Sequence, residues 1–213
     1  MTQSAGRGRL GRPWQSPPGN LYASTLVRLR PIDPPAASLA FVAAVALEEV
    51  VRAYVYARDA GINAGDGGGL QLKWPNDLLF DGAKLAGILL EGAGEAVVIG
   101  FGVNLAHFPQ GLDRPVTSLA AIGGQAPDPA LFLEDLAAAF ARWVARWRGE
   151  GLASVRTAWL ARAHAKGTAL TARLPDGEAI DGMFDGMDAD GALILRLADG
   201  TSRVIHAGDV FLL

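Results

Sequence analysis

The chain contains no cysteine, and that absence excludes disulfides, thiolate metal sites and a thiol nucleophile together. Histidine is scarce: His107, His164 and His206 are scattered along the sequence. No Ser/His/Asp or Cys/His arrangement supports a covalent enzyme intermediate. There is no excess of positive charge either. The net charge is −3, which speaks against general nucleic-acid binding. The longest apolar stretch, Ala36 to Val51, is broken by Ser38, Glu48 and Glu49 and is too short to span a bilayer. Residues 1–14 lack the apolar region of a secretion signal. These absences predict a soluble cytoplasmic protein with neither a membrane nor a DNA partner.

What is present suits a folded protein. Half of the 213 residues are hydrophobic and 19% are charged, enough for one large domain or one medium and one small domain. Alternation from Asn20 to Arg30 predicts a strand, and the Ala-rich run Ala36 to Arg58 a largely buried helix. The glycine-rich connection 61–69 reads as a flexible turn, since it lacks the Gly-Lys-Ser/Thr ending of a phosphate loop. Strands are expected at Leu70 to Trp74, Lys84 to Glu91 and Glu95 to Val103, with turns at Asn76-Asp77 and Asp81-Gly82. Asp128 is a candidate N-cap for a helix to about Arg148, with Phe132, Leu136, Phe140, Trp143 and Trp147 on its core face. A second helix is expected near Leu152 to His164. Beyond Lys166 the pattern becomes short strands with Asp-Gly turns at 176–177, 190–191 and 199–200, a small β-barrel. No internal repeat is present.

Two segments carry chemistry. In GRGRLGRPW, Gly6 to Trp14, three arginines alternate with glycines and an indole closes the run. Glycines let backbone N–H groups approach an anion, arginine forks suit phosphate or carboxylate, and a Trp can cover a flat ring. A disordered basic tail is the other reading of this segment by itself. In KWPNDLLFDGAKLAGILLE, Lys73 to Glu91, Trp74-Pro75 should end a strand, with Trp74 in the core, and Lys84 begins the next apolar strand seven residues after Asp77. There a lysine can be held beside a buried anion; an ordinary hairpin with a solvated Lys84 is the alternative.

Taken in order, GRGRLGRPW, SPPGNLY, KWPNDLLFDGAKLAGILLE and GFGVNL (Gly100 to Leu105) resemble the biotin protein ligases over nearly the whole chain. The resemblance implies an α+β fold: a mixed sheet packed with helices, class II synthetase-like, over 1–164, and an SH3-like barrel over 165–213. It implies an enzyme that forms biotinyl-5′-AMP from biotin and ATP with Mg²⁺, releasing pyrophosphate, then passes biotin to a lysine of a biotin carboxyl carrier domain of acetyl-CoA carboxylase or a related carboxylase. By the same resemblance Lys84 and Arg7 are catalytic, at the carboxyl and phosphoryl oxygens. Gln3, Gly6, Arg9 and Gly87 join them around biotin, Gln3 at its ureido ring. Arg9, Arg12, Trp14, Asn76 and Asn104 face ATP, and Asp77 is a candidate for the metal or for orienting the incoming lysine. Asn104 has a second reading, as a strand-end cap.

A lipoate or octanoate protein ligase and a non-catalytic nucleotide- or carrier-binding relative are the alternatives; KWPNDLLF and the glycine-arginine loop favour biotin. The sequence departs from the family pattern at its start. The strand and helix that precede the loop in the family, with their Ser/Thr-Ser/Thr-Asn type motif, have no counterpart, so an unpaired sheet edge and an open apolar pocket are expected. The DNA-binding domain of regulatory members has no counterpart either. Self-association into a homodimer is left open.

Overall fold

The computed structural model describes residues 3–56, 69–123 and 125–213. The glycine-rich connection, apart from Gly69, and the last residues of the helix expected to reach Arg58 lie outside the described residues. The alternating segment forms β1 (Leu21–Arg28) and the Ala-rich run forms α1 (Leu39–Tyr56). Four strands follow, β2 (Leu70–Lys73), β3 (Asp77–Phe80), β4 (Ala83–Ala93) and β5 (Ala96–Val103), in spatial order β1-β5-β4-β3-β2. All described ladders in this sheet are antiparallel. The α+β class stands, but the sheet is antiparallel where a mixed one was expected, because short turns return β3, β4 and β5 each beside its predecessor. The turn at Asn76-Asp77 is tighter than expected: Lys73 already pairs with Asp77, across a cis Trp74–Pro75 bond, so β3 begins at once. Asp81 and Gly82, both at positive φ, then make the β3–β4 turn.

Three helices separate this sheet from the next: α2 (Leu119–Gly123), α3 (Pro129–Glu150) and α4 (Leu152–Leu160). Asp128 caps α3 as expected, its Oδ1 accepting from Ala130 N at 2.7 Å and Leu131 N at 3.3 Å. The stripe Phe132, Leu136, Phe140, Trp143 and Trp147 is buried. Its two indoles also tie α3 to α1 and the turn before it: Trp147 Nε1 donates to Ser38 Oγ and Trp143 Nε1 to Glu49 Oε2, each at 2.8 Å. Glu48 of α1 has no exposed surface. Such a carboxylate is tolerated because Arg52 and Arg162 both donate to it at 2.6 Å.

The second sheet contains β6 (Ala169–Arg173), β7 (Ala179–Met187), β8 (Leu193–Arg196), β9 (Ser202–Ile205) and β10 (Asp209–Leu212), in order β10-β6-β7-β8-β9. Its hairpins turn at the three expected Asp-Gly pairs. The Asp190-Gly191 turn also joins the two sheets. Gly191 has φ +94, and a Cβ there would lie 2.3 Å from the Phe41 ring, so glycine alone fits. Its carbonyl accepts from Trp74 Nε1 at 3.0 Å. Trp74 is thus a core residue, as expected, and lies at the junction of the two sheets. The other side of the large sheet is open: β1 is an edge strand, and a groove of about 1090 Å³ runs between it and α3, lined by Val27, Leu29, Leu136, Phe140 and Val144. Among the described residues no helix is long and apolar enough to cross a membrane.

Candidate functional site

The Gly6–Trp14 segment folds into a short hairpin. Trp14 N donates to Gly6 O at 2.9 Å, Gly8 N to Arg12 O at 2.7 Å, and Arg7 pairs with Pro13 in an antiparallel bridge. Leu10 and Gly11, both at positive φ, form its tip. The hairpin lies across β4 and β5 and roofs a cavity of about 240 Å³, with β10 of the small sheet at one side. Every candidate residue read from the sequence lines this cavity except Asn104: Gly6, Arg7, Arg9, Arg12 and Trp14 come from the hairpin, Gln3 from the segment just before it, and Asn76, Asp77, Lys84 and Gly87 from the Lys73–Glu91 motif.

Asn104 stands apart from the other residues expected around ATP. It is buried, its Nδ2 donates to Thr117 O at 3.0 Å, and it does not line the cavity. It closes the end of β5, the strand-end reading of its side chain.

The floor is built on glycines. Gly87 and Gly102 pair across β4 and β5, and the Trp14 indole packs over them. A Cβ on Gly102 would stand 2.8 Å from the indole, and one on Gly87 3.4 Å from it and 3.1 Å from Lys84 Nζ. A flat ring therefore reaches the sheet only because side chains are missing there. The buried Trp14 Nε1 has no hydrogen-bond partner among the described residues, and the Lys84 ammonium sits 5.6 Å from the ring centroid. Asn76 donates its amide to Ile88 O, which fixes it beside β4.

Electrostatics concentrate at Lys84. Its side chain is 12% exposed and pairs with Asp77, 9% exposed; Lys73 Nζ stands 3.6 Å from the same carboxylate and donates to Val210 O at 3.0 Å. Burial pulls the Lys84 pKa below its ordinary value. Asp77 opposes that fall, while Arg114 and Lys73 add to it. Two of the hairpin arginines meet a second carboxylate: Arg9 Nη1 donates at 3.1 Å to both Asp209 Oδ1 and Gly208 O, and Arg12 also pairs with Asp209. Arg7 and Arg114 line the cavity exposed to solvent, with no ion pair among the described residues. The cavity walls carry six cationic side chains (Arg7, Arg9, Arg12, Lys73, Lys84, Arg114) against three carboxylates (Asp77, Glu91, Asp209), a field that concentrates polyanions. Among the described residues no group of three or more acidic or imidazole side chains gathers to hold a metal; Asp77 is the counter-ion of two lysines.

Sequence reasoning missed Lys73, Gly102, Arg114 and Asp209. Lys73 and Gly102 stood inside quoted motifs. Asp209, some two hundred positions from Arg9, left no local signal.

The profile of the Biotin/lipoate A/B protein ligase family matches residues 1–104, and that of the Biotin protein ligase C terminal domain matches 168–213. The biotin--[acetyl-CoA-carboxylase] ligase of Paracoccus denitrificans is 46% identical over 98% of this chain and 87% of its own length. The bifunctional ligase/repressor BirA of Escherichia coli is 33% identical over 99% of this chain but only 64% of its own. Among solved structures, the Aquifex aeolicus biotin protein ligase in complex with biotin and ATP shares the fold at TM-score 0.85 and 22% identity, over 100% of this chain and 87% of that one. The Leishmania major ligase in complex with biotinyl-5-AMP gives TM-score 0.61 and 26% identity, over 97% and 86%.

Proposed function

This chain belongs to the biotin protein ligase family, and we propose from that premise that it activates biotin as biotinyl-5′-AMP and transfers it to a lysine of a biotin carboxyl carrier protein. The observation that carries the reading is the meeting of the Gly6–Trp14 hairpin with the Lys84–Asp77 pair on one cavity. Residues 1–164 form the activating part and 165–213 its companion, which supplies Asp209 to the cavity wall.

In the first half-reaction a biotin carboxylate oxygen bonds to the α-phosphorus of ATP while the bond to the bridging oxygen breaks and pyrophosphate leaves. Two anions must be held together against their repulsion, so preorganised cations supply much of the rate. Lys84 and Arg7 stand at the joined carboxyl and phosphoryl oxygens, and Asp77 keeps the buried Lys84 charged. Gln3, Gly6 and Gly87 surround biotin; Ser16 Oγ donates to Gln3 Oε1 at 2.8 Å, which leaves the Gln3 amide free to donate. Arg9 and Arg12 turn from Asp209 to the phosphates, with Trp14 and Asn76 on the nucleotide side. Mg²⁺ arrives as part of the ATP complex, in keeping with a cation that one or two carboxylates and substrate phosphates suffice to hold; Asp77 is the nearest such carboxylate to Lys84. In the second half-reaction the neutral carrier amine attacks the acyl carbon, AMP leaves with the bonding pair, and the amine loses its proton.

The test is biotin-dependent ATP–pyrophosphate exchange followed by labelling of a carrier domain. Exchange and labelling with biotin are expected. Exchange with lipoate in place of biotin overturns the substrate, and binding of ATP without either reaction overturns the enzyme.

A further inference from the structure

The loop that follows β5 returns to Lys84 and is stitched to it by main chain. Lys84 N donates to Pro115 O at 2.9 Å, Thr117 N to Lys84 O at 3.0 Å, and Lys84 pairs with Val116 in a parallel bridge. The residue just before this seam is Arg114, and the seam sets it on the cavity wall. Four of the six cavity cations already have carboxylate partners: Lys73 and Lys84 share Asp77, and Arg9 and Arg12 share Asp209. Arg114 has none among the described residues, and its charge is felt at Lys84 as a repulsion. Two like charges kept close in a cleft store an unfavourable interaction that an anion between them relieves. The Lys84 side chain is largely buried, whereas Arg114 lines the same cavity exposed to solvent, the direction in which a leaving group departs.

We propose that Arg114 is a substrate-contacting residue that binds the pyrophosphate half of ATP, receiving negative charge as the bond to the α-phosphorus breaks. This rests on the ligase reading above. A guanidinium fork suits two phosphate oxygens better than an ammonium does, so Arg114→Lys should keep only part of the effect.

The experiment compares wild type, Arg114→Ala and Arg114→Lys. The alanine variant should lose about tenfold to a hundredfold in kcat/KM for ATP, the usual scale for one charge-assisted hydrogen-bonding group. It should also be inhibited more weakly by pyrophosphate, with KM for biotin little changed. Transfer from supplied biotinyl-AMP to a carrier domain, which involves no pyrophosphate, should stay at the wild-type rate. Equal loss in both half-reactions would assign Arg114 a merely structural part and overturn the proposal, as would unchanged ATP and pyrophosphate dependence. Calorimetric binding of tripolyphosphate to wild type and Arg114→Ala needs no turnover: weaker binding to the variant supports the site and equal binding overturns it. A wild type without exchange activity fails the ligase reading alone.

Discussion

Replacing Asp77 by Asn removes the one carboxylate shared by Lys84 and Lys73 and should separate stability from activity along the pH axis. Asp77 pairs directly with Lys84 and stands 3.6 Å from Lys73. For unit charges near 4 Å at an effective dielectric of about 20, the lost attraction is about 4 kcal/mol; the amide oxygen of Asn returns part of it as a hydrogen bond, so a loss of about 2–4 kcal/mol is expected near neutral pH. The sign of its pH dependence follows from Lys84. Burial already holds that pKa below 10.5 and Asp77 props it up, so the variant's folded state gives up the proton at lower pH than wild type while the unfolded chain keeps it to about 10.5. Stability of the variant therefore recovers as pH rises towards 10.5, because the unpaired charge disappears. Activity should do the reverse: on the mechanism proposed above pyrophosphate exchange uses the Lys84 charge, so it should fail at a lower pH than in wild type. Urea unfolding and exchange assays on both proteins between pH 6 and 10 measure the two curves. A deficit under about 1 kcal/mol with an unchanged activity profile would refute the claim that Asp77 maintains Lys84 as a cation.

Gly102→Ala should lift the Trp14 ring from the floor, since the new Cβ would stand 2.8 Å from it; an overpacking cost of about 1–3 kcal/mol and greater quenching of Trp14 by acrylamide, read by difference against Trp14→Phe, are expected, and unaltered quenching refutes the stacking. His164 is buried near the junction of the sheets, and burial, with Lys73 adding to it, pushes its pKa down from 6.5 to about 4. The folded state resists protonation that the unfolded chain accepts, so stability should decline as pH falls from 6.5 to about 4, by up to roughly 3 kcal/mol. His164→Gln should flatten that decline in thermal unfolding, and an unchanged slope assigns the decline elsewhere.

The elements with strong local signals were legible in the sequence. Asp128 followed by a periodic apolar face gave α3 with its cap, and the Asp-Gly pairs located the hairpins of the small sheet. Nine of the ten cavity residues were legible because they lie in two compact motifs; Gln3 stands just ahead of the first. The failures have physical causes. β3 was hidden because Pro75 reads as a strand end, while the chain reverses within three residues and resumes pairing at Asp77. The antiparallel sheet depends on which strands become neighbours, and periodicity carries no such information. Asn104, expected on the ATP side, lies off the cavity wall with its amide bonded to Thr117 O, a placement set by the loop after β5 rather than by its own motif. Asp209 and Arg114 reach the cavity only through tertiary placement.

The indole of Trp74 bonded to Gly191, which itself lies close against the Phe41 ring, bears on the traffic of the enzyme. A small sheet fastened to the large one in this way is expected to stay in place while the ligands proposed above, biotin and ATP, enter. The Gly6–Trp14 hairpin, carrying its exposed Leu10 tip and held to the small sheet chiefly by exchangeable arginine–carboxylate contacts, is the wall that has to yield. On that expectation admission and release would follow the opening of nine residues, on the timescale of loop closure, against a dock that keeps its shape.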